Sequence, residues 1–177
     1  SIFLYSNLLK DYQKERIEAF INPTQSEQSI SFNVNQSRIA IGSGQIFGKG
    51  FGNGTQSKRN FLPEHQTDFI FASFAEEYGL VGSLFLISLY GVIIVRILVI
   101  SLEKSGNTLY SIILVGIALK LLIEVFVNIG TNLGIIPATG IPLPLVSAGG
   151  TITLVTLFSL GIVQSIINRS STSLSSK

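Results

Sequence analysis

The sequence predicts an all-α polytopic membrane protein, with three C-terminal transmembrane helices preceded by a large, partly irregular polar loop. Three observations carry this. Only 12% of the 177 residues are charged, against about 25% in soluble domains. Mean hydropathy is +0.52. The apolar residues are also concentrated after residue 80, in runs long enough to cross a bilayer.

The first run, 80–100, has 21 residues and a single charge, Arg96. At 1.5 Å per residue it covers roughly 30 Å, the thickness of a hydrocarbon core. The second, 109–136, carries Lys120 and Glu124, and the third, 145–167, carries no charge. Between the last two, 137–144 holds Pro137, Pro142 and Pro144. Proline cannot continue a helix, so this is a short extended connection whose carbonyls need partners in protein or water. Residues 168–177 form a polar tail.

The first third is different. Residues 1–9 read as the end of a membrane helix, and 10–79 as the large loop. Leading into the loop, Leu9, Ile17 and Phe20 recur at helical spacing among charges, predicting an amphipathic surface helix stopped at Asn22-Pro23. Ile30, Phe32 and Val34 alternate with polar neighbours, predicting a short strand over 30–35. A glycine-dense stretch, IGSGQIFGKGFGNGT, leads into FLPEHQTDF. The chain begins at Ser1 and contains no methionine, so it reads as part of a longer protein.

Composition excludes several function classes. Twelve Lys+Arg against ten Asp+Glu leave a net charge of +2, too small for a nucleic-acid binder. No cysteine is present, so disulfides and thiolate metal sites are excluded, and a lone His65 makes a zinc site implausible. Charge does not fix the topology. Glu103, Lys104, Arg169 and Lys177 suit a cytoplasmic side, but residues 10–67 carry seven Lys/Arg of their own. The positive-inside rule weakens in loops of that length.

Three features carry candidate chemistry. The glycine stretch fails as a P-loop, because Ser43 stands where the first glycine is needed and Gly50 where Ser or Thr is needed. It is either a tight loop exploiting positive φ, or a set of exposed N–H groups that, with Lys49, line a pyrophosphate site. Glu64, Asp68, Glu76 and Glu77 cluster at the mouth of the first span. A carboxylate there is costly unless paired or working, though Asp68 also suits a helix N-cap. Lys120 and Glu124, four residues apart in mid-span, read as an internal ion pair or as part of an ion path.

These blocks, taken in order, resemble a known family. QSRIAIGSGQIFGKGFGNGTQ, FLPEHQTDFIFASFAEEYGLVGS, FVNIGTNLGIIPATGIPLPLVSAGG and GIVQSI are similar to the C-terminal half of the SEDS proteins, the RodA and FtsW group of peptidoglycan glycosyltransferases. KDYQKERIEAFINP resembles the start of that family's large loop, and GKGF and GTQS look more like the RodA branch. The resemblance implies a ten-helix fold, of which this chain supplies the large extracytoplasmic loop and the last three helices. It also places the tail, 168–177, in the cytoplasm of a bacterial inner-membrane protein.

The same resemblance implies an activity, polymerisation of lipid II into glycan strands. The family's essential aspartate matches Asp68, and Lys49, Gln56, Glu64 and Thr67 are the implied substrate-binding companions. Asp68 would be the general base for a sugar hydroxyl, its pKa raised by partial desolvation. Lys49 and the glycine loop would face the leaving pyrophosphate. Mg²⁺ or another divalent cation suits such a substrate, although no dedicated cage is visible. Implied partners are a class B penicillin-binding transpeptidase and other membrane proteins of the elongation or division complex. The sequence departs from the family pattern at Gln66, where histidine is usual, at Ala148, where tyrosine is usual, and at Glu124, where glutamine is common. Residues 26–33 also lack the usual glycine-rich approach. Two other functions compete: a flippase for the lipid-linked precursor, favoured by Lys120–Glu124 and the broken connection, and a non-catalytic scaffold.

Overall fold

The computed structural model describes residue 16 and residues 28–54, 67–103 and 108–174. Predictions for 1–9, for the amphipathic helix apart from Arg16, and for Gln56, Glu64, His65 and Gln66 lie outside the described residues. Among the described residues the long helices are α1 Gln28–Ser43, α2 Ile70–Glu103, α3 Thr108–Asn132 and α4 Gly150–Leu174.

Helix α1 replaces the strand expected over 30–35. Three alternating residues were too short a signal, because the same stretch carries a longer helical one. Ser37, Ala40 and Gly44 share a buried face flanked by Val34 and Ile41, while Phe32 and Ile39 point outward. That face packs on Phe69 and Ala72 at the start of α2.

Helix α2 has 34 residues, longer than a bilayer requires, and is interrupted at Gly79 (φ 67°, ψ −163°). The interruption explains why apolarity begins at Leu80: the first turns, with Glu76 and Glu77, precede the span. A helix broken here loses the bonds from the Leu80 and Val81 N–H groups to the Glu76 and Glu77 carbonyls. The glycine loop replaces all four partners. Leu80 N–H donates to Gln45 O (2.9 Å) and Val81 N–H to Ile46 O (3.1 Å), while Glu76 O and Glu77 O accept from Lys49 and Gly50 N–H (3.0 Å each). The backbones touch. A Cβ on Gly48 would lie 2.1 Å from Glu77 O, and one on Gly79 2.3 Å from Gly48 N. Both glycines also have positive φ, so steric need and backbone conformation coincide.

Helix α3 stops at Asn132, short of the predicted 136. Gly134 takes φ 71°. Ile135 N–H donates to Gly130 O and Gly134 N–H to Thr131 O, the two bonds of a Schellman ending. The chain then runs without helix to Gly150, so α4 also starts later than the predicted 145. Leu145 holds φ 64°, which blocks an earlier start.

The inner block is formed by Ile94, Ile97 and Ile100 of α2, Leu114, Ile117 and Leu121 of α3, and Val163 and Ile166 of α4. A Ser101–Ser111 hydroxyl contact (2.9 Å) joins α2 to α3 near one end. Toward the other end, Tyr90, Val125 and Leu143 pack together, and the Tyr90 hydroxyl donates to Pro144 O. Three helices are long and apolar enough to cross a membrane, Ile70–Glu103, Thr108–Asn132 and the Gly150–Asn168 part of α4. Large apolar side chains such as Phe85, Val92, Phe126, Leu154 and Phe158 face outward from them, as spans in contact with lipid or further helices require.

Candidate functional site

The site is built around the turn Thr67-Asp68-Phe69, immediately before α2. Phe69 is buried against Ala40 and anchors the turn to α1. Asp68 is half-buried at the rim. Its carboxylate faces the proline-rich connection at Gly140, whose positive φ of 72° a side chain would strain. A Cβ on Gly140 would stand 3.5 Å from Asp68 Oδ2, and 3.3 and 3.5 Å from the two terminal nitrogens of Arg16. An acid and a guanidinium thus flank one glycine.

The backbone of the turn is held by side chains from other elements. Asp68 O accepts from Asn128 Nδ2 (2.9 Å) and Asn132 Nδ2 (3.0 Å), both on α3. Thr67 O accepts from Ser147 Oγ (2.8 Å), which in turn accepts from Leu143 N–H (2.7 Å). The cap for α2 also comes from α3, because Ala72 N–H donates to Asn132 Oδ1 (3.1 Å). That N–H also donates to Phe69 O (3.1 Å), so Asn132 shares one donor of the first turn.

Lys49, in the glycine loop, lies beside α2 at Glu76. Its Nζ pairs with Glu76 Oε1 at 2.7 Å, and the Glu76 side chain is fully buried. Glu76 is eight residues beyond Asp68, about 12 Å along a helix axis. The N–H groups of Gly44, Gln45, Gly48, Lys49, Gly50 and Asn53 are all engaged with backbone carbonyls. These six N–H groups are thus engaged within the fold. Of the expected site residues, Asp68 and Thr67 are brought together, and Lys49 belongs to a separate cluster.

Lys120 and Glu124 form the expected internal pair, 2.9 Å apart. An apolar cleft of about 460 Å³ lies between α2 and α3, lined by residues such as Ile87, Tyr90, Leu122 and Phe126. Its lining residues include no carboxylate or ammonium group. Among the described residues no group of three His, Cys, Asp or Glu side chains could hold a metal ion.

Sequence reasoning missed Arg16, Asn128, Asn132 and Ser147. A signal existed for the two amides. They stand four residues apart in an apolar span, where polar side chains are expensive and face partners. Arg16 gave no such signal, since one cation in a charged helix looks like any other.

Comparison with known proteins gives the family. A model of the FtsW, RodA and SpoVE cell cycle proteins matches residues 1–172. The peptidoglycan glycosyltransferase MrdB of Escherichia coli (strain K12) is 46% identical over 163 residues, covering 92% of this chain and 44% of that protein. A probable peptidoglycan glycosyltransferase FtsW of Thioalkalivibrio sp. (strain K90mix) is 41% identical, covering 88% of this chain and 39% of its own length. The chain thus spans less than half of these relatives. A solved peptidoglycan synthase complex, described as coordinating polymerization and crosslinking, contains a chain with TM-score 0.63 and 31% identity, covering 90% of this chain and 42% of that one. Helices, sequence blocks and fold agree, and the chain belongs to the FtsW/RodA/SpoVE family of cell cycle proteins.

Proposed function

We propose that the protein of which this chain forms part is a peptidoglycan glycosyltransferase that polymerises lipid II at the outer face of the bacterial inner membrane. The observation that carries this reading is the setting of Asp68. It is a half-buried carboxylate at the mouth of a membrane helix, fixed through its backbone and facing a guanidinium across Gly140. The names of the relatives supply the reaction class.

The 4-hydroxyl of one sugar attacks the anomeric carbon of another. The new O–C1 bond forms as the bond from C1 to the pyrophosphate oxygen breaks, and the hydroxyl proton passes to Asp68. A sugar hydroxyl is a weak nucleophile at neutral pH, which is why a base is required. Charge develops on the departing undecaprenyl pyrophosphate, and positive groups must meet it. Arg16 suits that task better than Lys49, because Lys49 is engaged with Glu76 and a guanidinium binds phosphate oxygens in a bidentate way. Thr67, Gln56 and Glu64 complete the proposed substrate-binding set, with Mg²⁺ or another divalent cation as a candidate companion to the pyrophosphate. A class B penicillin-binding transpeptidase is the proposed partner, with other membrane proteins of the elongation or division machinery. The similarity to a chain of a peptidoglycan synthase complex supports such a partnership.

The test is Asp68→Asn in the full-length protein with purified lipid II. Loss of strand synthesis with folding intact is expected. Near-normal synthesis removes Asp68 as the base. Flipping of precursor without polymer, measured separately in proteoliposomes, would favour the transporter reading instead.

A further inference from the structure

We propose that Asn128 and Asn132 are positioning residues for the reaction, holding the peptide carbonyl of Asp68 so that its carboxylate is aimed across Gly140. This rests on the reading of Asp68 as the base.

The geometry is specific to an amide at each position. Asn128 uses both donors of its Nδ2, one to Asp68 O and one to Ile141 O, each at 2.9 Å. One side chain therefore ties the backbone of the base to the backbone one residue past Gly140, setting the width of the gap between them. Asn132 uses its two ends differently. Nδ2 donates to Asp68 O (3.0 Å) and to Asn128 O (2.9 Å), while Oδ1 accepts from Ala72 N–H (3.1 Å). Reversing either amide would set an oxygen against carbonyl oxygens, so the network fixes both orientations. Ser37 of α1 donates to Asn132 O (2.8 Å), tying a further helix to the same point. Both asparagines are buried, at 1% and 0% exposure.

Ordinary packing does not require this. Phe69 and Ala72 already bind the start of α2 to α1 through apolar contact. The amides add a restraint on the carbonyl of Asp68 itself, from two donors. Misplacing a reacting group by about 1 Å costs on the order of a hundredfold in rate, so a backbone restraint there acts on turnover.

The experiment compares Asn128→Ala, Asn128→Ser and Asp68→Asn in the full-length protein, with kcat and KM for lipid II normalised to folded protein. Asn128→Ala is expected to lower kcat about 10- to 100-fold, leave KM within about twofold and leave the monodisperse fraction close to wild type. Asn128→Ser, which keeps one donor, should recover part of kcat. Unchanged kcat in Asn128→Ala overturns the proposal, as does a loss of folded protein with normal kcat per folded molecule. Should Asn128→Ala not fold, Asn128→Ser decides, since a kcat equal to wild type in that variant also overturns it. If Asp68→Asn abolishes synthesis while Asn128→Ala does not, positioning fails alone. If Asp68→Asn keeps synthesis, the base assignment has failed first.

Discussion

The Lys49–Glu76 pair allows a prediction whose size follows from its burial. Lys49→Ala leaves the Glu76 carboxylate in a site with no solvent exposure, facing a lost cation. Two limits bracket the cost. The lower is the loss of a charged hydrogen bond, about 1.5–3 kcal/mol, taken toward its smaller end because the Lys49 side chain is 29% exposed. The upper is the cost of neutralising the carboxyl instead. From an ordinary glutamate value of about 4.3, holding the proton at pH 7 costs about 2.7 units, or roughly 3.7 kcal/mol. A loss of about 2–4 kcal/mol is therefore expected at pH 7.

The sign of the pH dependence follows. At the upper limit, where the folded variant carries the proton, its deficit against wild type shrinks as pH falls toward the ordinary carboxylate range. At pH 5.5 the upper limit shrinks to roughly 1.6 kcal/mol. The assay is the apparent melting temperature of the full-length protein in detergent, wild type against Lys49→Ala, at both pH values, with Lys49→Ala/Glu76→Gln as the relieved control. An unchanged melting temperature, or an equal deficit at both pH values in the single and double variants, refutes the reasoning. A normal melting temperature with a large loss of turnover per molecule would return Lys49 to the pyrophosphate.

Two further perturbations test the connection. Gly140→Ala introduces a Cβ 3.3 Å from an Arg16 nitrogen and 3.5 Å from Asp68 Oδ2, at a φ of 72°. It should cost about 1–2 kcal/mol of stability and lower turnover about tenfold by displacing those groups, whereas Gly91→Ala, with nothing within 4 Å, should do neither in the same assays. Tyr90→Phe removes the hydroxyl that donates to Pro144 O and should lower stability by about 1–3 kcal/mol, read as a fall in melting temperature with core packing retained.

The three spans were legible because bilayer thickness imposes a length of apolar sequence that no local exception hides. Their ends were not. Gly134 and Leu145 act through backbone conformation, and 109–136 and 145–167 read as uniformly apolar across both. The turns of α2 before Gly79 showed only in the N-cap reading of Asp68, because Glu76 and Glu77 make that stretch look like loop. Its helical bonds are completed by residues 27 to 35 positions earlier in the chain. The strand over 30–35 was a period-2 reading of a helix whose buried face needs Ser37 and Gly44, neither of them hydrophobic. Asp68 was legible as a costly carboxylate at a membrane mouth. What holds it was not, since Asn128, Asn132 and Ser147 lie 60–80 residues away, and no local pattern marks a donor for a carbonyl that the sequence does not reveal to be exposed.

Helix α3 shows how a membrane scaffold can hold a half-buried acid without carrying charge to it. Lys120, Glu124, Asn128 and Asn132 follow one another at four-residue spacing. The two charged members pair with each other and stay partly exposed, at 32% and 17%. The two buried members are neutral amides. Placing a lysine or arginine at 128 or 132 would supply donors to the Asp68 carbonyl, but at the desolvation cost of a buried cation, several kcal/mol. It would also set a positive charge behind the proposed base and weaken its affinity for a proton. An asparagine offers the donors without either effect. The amides therefore fix the backbone of Asp68 without placing a charge behind its carboxylate.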